Sequence, residues 1–456
     1  MGLSIVILAA GQGKRMNSDL PKVLHKLAGK ALLDHVTTTA LKLDPSQPPI
    51  VIHGHQGDVL RHQLAFLNVT WIEQTKQLGT GHALQQALPQ IPSGDRVLVL
   101  YGDVPLISVE TLKQFILSTP ANALGIITAS LPNPTGYGRI IRNDGNKIIN
   151  IIEEKDANEK ERQIQEINSG IYLIPAAHLQ KWLPQLRNDN AQQEYYLTSI
   201  VHFAVKENIE ISSIKPKAHE EIFGINDRLQ LSALERVYQR QIAERLMLQG
   251  VTICDPNRLD IRGEVIIGKD VTIDINVILE GRVVIGNQCT IGPHTILRNA
   301  ILGDHVEIRA NSIIDGSEIA NDCIIGPFAR LRPGTELAAS VHVGNFVEIK
   351  NGIIGEHTKI NHLSYIGDSH IGKRVNIGAG TITCNYDGVN KHHTHIGDEA
   401  FIGSNSQLVA PIKIGEGATI GAGSTITRDA PANQLTLCRA TQRTIASWQR
   451  PPKKES

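Results

Sequence analysis

The chain has 456 residues and carries 45 Lys and Arg against 45 Asp and Glu, so its formal net charge is zero. That length exceeds what one core usually fills, so two or three domains are expected. The balanced charge gives no global basic field for nucleic acid or an anionic membrane. Five cysteines at wide spacing (Cys254, Cys289, Cys323, Cys384, Cys438), with no C-x-x-C pair, argue against a disulfide framework and for a reducing, cytoplasmic setting. The apolar start MGLSIVILAAG lacks a basic leader and is too short to span a bilayer. Val6 breaks the myristoylation pattern that Met-Gly would open.

Residues 1–226 alternate short β-like runs with helical patterns, the signature of a mostly parallel α/β sheet. LSIVILAAG ends in Gly and RVLVLYGDVPLI runs into Gly-Asp; both deliver special residues to the carboxyl edge of such a sheet, where ligands collect. LAAGQGKRM is Gly-rich after a strand, yet it is not a P-loop, and Met16 stands where the dinucleotide fingerprint has its third Gly. A turn of this kind can still offer backbone N–H groups to phosphates. Arg15 and Lys22 supply two cations beside it. Asp103, at the end of the second run, is the best candidate for Mg²⁺, which takes one or two carboxylates together with substrate phosphates.

Residues 227–250 read as a connector helix. Ser232 and Glu235 have capping-box spacing but lie deep in the pattern; Leu234, Val237 and Leu248 fit one apolar stripe, and Gly250 ends it. Residues 251–456 form the last segment. In it an aliphatic residue recurs every six positions, as in Ile267, Ile273, Leu279, Ile285, Ile291 and Leu297, with single slips, through to Ile426. A hexapeptide period marks a parallel β-helix, with about eighteen residues per three-sided coil. Gly after the aliphatic residue suits a tight corner. Exposed repeated surfaces favour capping or oligomerisation. The tail ATQRTIASWQRPPKKES leaves the repeat, and its basic, Pro-containing end is expected to be mobile. One interruption stands out: from Thr383 to Ile396 the step is thirteen, across TCNYDGVNKHHTHI.

Taken in order, LAAGQGKRM, LPKVLHKLAGK, QLGTGHA, YGDVPL, NPTGYGRI, EINSGIY and NDRLQL resemble the sugar-phosphate nucleotidyltransferases. With the hexapeptide segment behind them, the chain resembles the bacterial bifunctional N-acetylglucosamine-1-phosphate uridyltransferase and glucosamine-1-phosphate N-acetyltransferase family. The resemblance covers nearly the whole chain. It implies a Rossmann-like uridyltransferase domain, then a left-handed β-helix carrying the acetyltransferase site in a groove between subunits of a homotrimer. The substrates implied are UTP, N-acetylglucosamine 1-phosphate, glucosamine 1-phosphate and acetyl-CoA, with Mg²⁺ as cofactor. It further implies that Leu8, Ala9, Ala10 and Gly11 bind the nucleotide, with Arg15 and Lys22 on its phosphates. Gln74, Gly79 and Thr80 would read uracil; Tyr101, Gly138, Glu153 and Asn168 would hold the sugar nucleotide; Asp103 and Asn226 would ligate Mg²⁺. Two departures are visible. Lys14 stands where the family usually has Thr, and Asp227 where it usually has Asn; helix capping is the preferred role for Asp227.

The interruption falls in the region that the resemblance assigns to acetyl transfer. A smooth coil offers no concavity, and functional loops are commonly borne on rigid scaffolds. An amine attacking a thioester needs a base that titrates near neutrality, which is the range of an imidazole, and His362 is the candidate. Glu348 could orient it. Tyr386, Ser404 or backbone N–H groups near Ala379 could donate to the oxyanion, and the sequence leaves these alternatives open. The resemblance also assigns Arg332, Lys350, Tyr365, Asn376 and Lys391 to the sugar phosphate. It assigns Ala379, Asn385, Tyr386, Ser404, Ala422 and Arg439 to acetyl-CoA. HHTH invites a metal reading that no further cluster completes, and Cys384 reads as structural because transfer from thioester to amine proceeds directly.

Overall fold

A computed structural model describes residues 2–11, 13–54 and 56–451. The expectation of a mobile C-terminal end concerns in part residues 452–456, outside that range. The chain divides into two compact units, Met1–Tyr238 and Gln239–Ser456.

The first unit is built on strands β1 (Leu3–Ala9), β2 (Ile50–His53), β3 (Thr70–Glu73), β4 (Arg96–Tyr101), β5 (Leu124–Ser130), β6 (Arg139–Arg142), β7 (Ile148–Ile152), β8 (Glu166–Pro175) and β9 (Ile211–Ile214). Their order is β9-β5-β8-β4-β1-β2-β3, with the β6–β7 hairpin joined to β8. β1 runs parallel to both β2 and β4, and only β8 is inserted antiparallel, between β4 and β5. The near-continuous apolar runs follow from burial on both faces. Val6, Leu8, Val97 and Val99 point into one core, and Ile5, Ile7, Leu98 and Leu100 into the other. The chain leaves β1 for neighbours on either side, so the crevice beyond β1 and β4 is the topological switch point, where ligands bind in open α/β sheets.

The connector helix spans Arg228–Leu248. Asp227 caps it: its carboxylate accepts from the Gln230 N–H at 2.8 Å. The start signal is therefore Asp227 and not the Ser232–Glu235 pair; the Glu235 carboxylate instead accepts from the backbone N–H of Ala28 at 2.8 Å. At the other end Gly250, at φ +99, closes a Schellman motif, with Val251 N–H bonded to Leu246 O and Gly250 N–H to Met247 O. Leu234 is buried, but Leu248 is 90% exposed. Leu248 falls off the stripe, which continues through Ile242, Ala243 and Leu246.

The second unit is a parallel β-helix. One ladder of short strands runs from Thr252–Ile253 to Leu435–Thr436, and two more share long strands such as Val277–Ile285 and Tyr365–Ile371. Neighbouring coils are 17 residues apart where Asn345 meets His362, and 25 apart where Arg374 meets Glu399, across the interruption. Leu279, Ile291, Ile308, Ile325, Leu331, Ile349, Ile366 and Ile402 are fully buried inside the coil, while Ile267, at one end, is partly exposed. Each such side chain contributes roughly 1.5–3 kcal/mol relative to exposure. The glycine after the aliphatic residue has a different cause from the one expected. Gly286, Gly355, Gly372 and Gly397 do not adopt positive φ. They are needed because the next coil stacks on them: a Cβ on Gly286 would lie 2.4 Å from Gly303 O, and one on Gly355 2.5 Å from Gly372 C. The left-handed corner positions are filled by residues such as Asp270, Asn276, His294, His305 and Asn311, types that tolerate that conformation.

Candidate functional site

At the carboxyl ends of β1 and β4 lies a cleft of about 640 Å³. Its walls include Leu8, Ala9, Ala10, Gly11, Lys22, Gln74, Gly79, Thr80, Tyr101 and Asp103. Lys22 Nζ donates to the Asp103 carboxylate and, at 3.1 Å, to Asn226 Oδ1. Asn226 is itself fixed by its N–H, which donates to Gln230 Oε1 at 2.7 Å. Two hard oxygen donors thus aim at one cationic atom, a set that suits Mg²⁺ with phosphates completing the shell. Arg15 is exposed and outside the cleft walls, whereas Lys14 lines them.

Gln74 is buried and spans Gly79 O at 3.1 Å and His82 Nδ1 at 2.9 Å. Gly79, at φ +109, passes so close to residue 195 that a Cβ would lie 2.8 Å from Tyr195 N; the Thr80 hydroxyl accepts from Leu197 N–H at 3.0 Å. Gly138, Glu153 and Asn168 are not among the cleft walls, and Glu153 lines a separate cavity; Asn168 N–H donates to Gly138 O at 2.9 Å, and Asn168 Oδ1 accepts from Gly170 N–H at 3.1 Å. Gly170, at φ +83, leaves room for the Tyr101 ring, whose Cε2 would lie 2.6 Å from a Cβ there. Burial, reinforced by the charges of Glu153 and Asp103, raises the Tyr101 phenol well above its ordinary range. Burial also raises the Glu153 carboxyl, against a bond from the Thr198 hydroxyl at 3.1 Å and with Asp156 and Glu194 adding negative charge. Val23, Gln77, Ala83, Lys155, Gln192 and Glu194 also line the cleft and were not foreseen. Val23 lies within LPKVLHKLAGK, and Gln77 and Ala83 within QLGTGHA; Gln77 donates to Ala10 O at 2.8 Å. Lys155, Gln192 and Glu194 come from segments with no local motif.

On the β-helix the residues assigned to acetyl transfer form two lines. His362, Ala379, Ser404 and Ala422 lie one per coil along a single corner. Bonds run from Gly380 N–H to His362 O, Asn405 N–H to Ala379 O, and Gly423 N–H to Ser404 O. Arg439 closes the column, its guanidinium donating to Ala422 O at 3.1 Å. On the adjoining face, Glu348 pairs in register with Tyr365, and Lys350 with Gly367. Lys350 and Lys391 are close neighbours: the Lys350 ammonium lowers the pKa of Lys391. Asp368 lies between them and Asn385. Burial would raise its carboxyl, but amide bonds from Asn351 and Asn385 and the two lysine charges bring it below its ordinary value. Asn376 is not with this group; it pairs with Lys359 on another ladder.

His362 Nδ1 lies 2.8 Å from Asn345 Oδ1. An amide oxygen only accepts, so Nδ1 carries the proton, and in the neutral ring Nε2 is left with the lone pair a base requires. Glu348 is not the orienting group within the chain: its carboxylate pairs with Arg332 at 2.9 Å and Arg330 at 3.9 Å. The residues added by the interruption form a closed hairpin. Tyr386 bridges Lys391, His392 N–H returns to Asn385 O at 2.8 Å, and the Asp387 carboxylate accepts from Val389 N–H, Asn390 N–H and, at 2.7 Å, His392 Nε2. Cys384 is half-buried, and burial raises its thiol, which does not favour a nucleophile.

Fold and site together define a nucleotidyltransferase domain followed by a hexapeptide-repeat transferase domain. A family model of the MobA-like NTP transferase domain matches residues 5–164, the GMPPB C-terminal domain matches 261–354, and the bacterial transferase hexapeptide (six repeats) matches 393–428. The chain is 53% identical over 451 residues to the bifunctional protein GlmU of Azoarcus sp. (strain BH72), covering 99% of this chain and 100% of that one. It is 54% identical over 453 residues to that of Acinetobacter baumannii (strain AYE), covering 99% of each, and 53% over 451 residues to that of Marinobacter nauticus, again covering 99% of each. The chain belongs to the bifunctional GlmU family. It is a glucosamine-1-phosphate N-acetyltransferase and UDP-N-acetylglucosamine diphosphorylase.

Proposed function

We propose that the two activities divide between the two units, with acetyl transfer on the β-helix and uridylyl transfer in the cleft beyond β1 and β4. The observation that carries this reading is the convergence of Asp103 and Asn226 on a single cationic point in that cleft, far in sequence from the column of His362 to Arg439.

In the cleft, an oxygen of N-acetylglucosamine 1-phosphate attacks the α-phosphorus of UTP, the bond to the β-phosphate breaks, and pyrophosphate leaves. Leu8–Gly11 face the nucleotide, Gln74, Gly79 and Thr80 take the uracil, and Tyr101, Gly138, Glu153 and Asn168 the sugar. Lys22 and Lys14 meet the phosphates from the cleft wall; Arg15 reaches them only from outside it. Asp103 and Asn226 would hold Mg²⁺, which would supply charge neutralisation for the in-line displacement. Alignment and charge are what this reaction requires of the protein.

On the β-helix, His362 Nε2 takes a proton from the glucosamine ammonium. The freed amine attacks the acetyl-CoA carbonyl, and the thiolate leaves as CoA. Arg332, Lys350, Tyr365 and Lys391 bind the sugar phosphate, with Asn376. Ala379, Asn385, Tyr386, Ser404, Ala422 and Arg439 contact acetyl-CoA. Asn376 occupies a different ladder from Lys350, so one chain does not close around the sugar phosphate. A homotrimer of left-handed coils supplies the missing wall. The exposed corner of Phe328 and Phe346, with rings stacked at 5.3 Å, continued by exposed Leu363, supports such an assembly. Five free cysteines accord with a cytoplasmic enzyme.

The test follows free thiol and pyrophosphate separately, from glucosamine 1-phosphate, acetyl-CoA, Mg²⁺ and UTP. His362→Ala should lower thiol release by about 10²–10⁴-fold and leave pyrophosphate formation from supplied N-acetylglucosamine 1-phosphate intact. Equal loss of both would refute the division.

A further inference from the structure

We propose that Lys22 is a resident cation that fills the metal position of the cleft until a triphosphate draws it away, so that metal and nucleotide bind cooperatively. The inference rests on the uridylyl-transfer reading of that cleft. The Lys22 ammonium donates to both groups expected to ligate the metal, Asp103 and Asn226. The Lys22 and Asp103 side chains are only 11% and 15% exposed, so the pair is poorly screened, and an unpaired carboxylate there would be costly. The backbone that carries the two side chains is fixed without the ammonium: Asn226 N–H is bonded to Gln230 Oε1, and the main-chain carbonyl of Asp103 accepts from Ile225 N–H at 2.9 Å. The arrangement thus stores a formed ligand pair with its charge already balanced.

Lys22 Nζ and a divalent cation cannot both occupy the point between Asp103 and Asn226. Metal entry therefore requires the ammonium to leave, and without an anion to receive it that departure exposes a charge with no partner. A triphosphate in the cleft provides the receiving group. Lys14, which lines the cleft and is in no ion pair among the described residues, is free to make the first contact. Each ligand then favours the other, and by linkage the coupling is the same in both directions. Lys22 acts here as a positioning residue whose neutral replacement should weaken the coupling to what the phosphates supply as metal ligands.

The experiment uses the full-length protein and Mn²⁺ as the probe, its binding followed by the electron paramagnetic resonance of the free ion, with and without a UTP analogue bridged by methylene between the α- and β-phosphates. Wild type should bind Mn²⁺ alone weakly and at least about tenfold more tightly with the analogue. Lys22→Met should bind Mn²⁺ alone about tenfold more tightly than wild type, with a smaller gain from the analogue than in wild type once Mn²⁺ bound by the analogue without protein is subtracted; the gain that remains is coordination of the metal by the phosphates. Lys22→Gln makes the same comparison if the Met variant folds poorly. If Mn²⁺ binding depends on Asp103, tested by Asp103→Asn, but neither Lys22 variant binds Mn²⁺ alone more tightly than wild type, the resident-cation inference falls and the metal assignment stands. If Asp103→Asn leaves Mn²⁺ binding unchanged, the metal assignment fails and takes the inference with it.

Discussion

In the α/β unit, residues as distant as Lys22, Asp103 and Asn226 meet within one crevice, whereas on the β-helix His362, Ala379, Ser404 and Ala422 are stacked one to a coil along an open corner. A sheet with crossing connections brings remote segments to one edge, so a single chain can surround a small ligand. A solenoid contacts only its neighbouring coils. It can align a long ligand such as a coenzyme, but it needs an inserted loop or a second copy to enclose a small one. On the proposed reading, the hairpin after Asn385 supplies the first of these, and the placement of Asn376 and Lys350 on different ladders calls for the second.

The sharpest way to break this contrast is Asp103→Asn. Uridylyl transfer should fall by about 10²–10³-fold, the loss typical of one electrostatic group at a reacting centre, while acetyl transfer is unchanged; unaltered uridylyl transfer at limiting Mg²⁺ would overturn the role. Gly170→Ala tests the crowding of the cleft. Its Cβ meets the Tyr101 ring at a backbone φ of +83, and strain of this kind costs about 1–3 kcal/mol. A lowered melting temperature and a raised KM for the sugar phosphate are expected, and wild-type values for both would contradict the close packing. Asn345→Ala tests the open corner. Loss of one hydrogen bond of about 1 kcal/mol should slow thiol release roughly fivefold and move the pH profile of that activity. Glu348→Gln should leave the profile where it was; the reverse pattern would return the orienting role to Glu348.

Glu153 gives the smallest effect. Its folded carboxyl titrates above the ordinary value, chiefly through burial. The stability linked to it is therefore fully present below the unfolded pKa and is lost as pH rises through the folded one. Glu153→Gln should remove that decline, so its melting temperature should gain on wild type as pH rises from 4 to 8. A parallel pair of curves would show that Glu153 is solvated.

Much of this was legible in the sequence because burial repeats. The six-residue period names the inward side chains of the coil one by one, and the apolar runs before Gly11 and Asp103 point to the crevice. What was misread depends on a second segment that no local pattern reveals. Leu248 matches the helical spacing, but the chain has reached its Schellman turn there and its side chain is left exposed. Glu348 is an acid near His362 in sequence, yet the residue that touches the imidazole is the one a coil earlier, Asn345. The repeat itself contained that signal, since neighbours in a solenoid are one coil apart. Gln77 was within reach of the QLGTGHA motif. Lys155, Gln192 and Glu194 were not, because long-range folding brings them to the cleft.

The closed hairpin also matters for engineering. The extra residues leave the coil at Asn385 and return at His392, where N–H and carbonyl meet at 2.8 Å, and the ladder resumes with His370 beside His395. The coil therefore behaves as a socket: entry and exit are one hydrogen bond apart, and the ladder on either side keeps its in-register stacking. Foreign hairpins with the same two anchor points are candidates for grafting there, where they would carry new side chains to the rim of the coil.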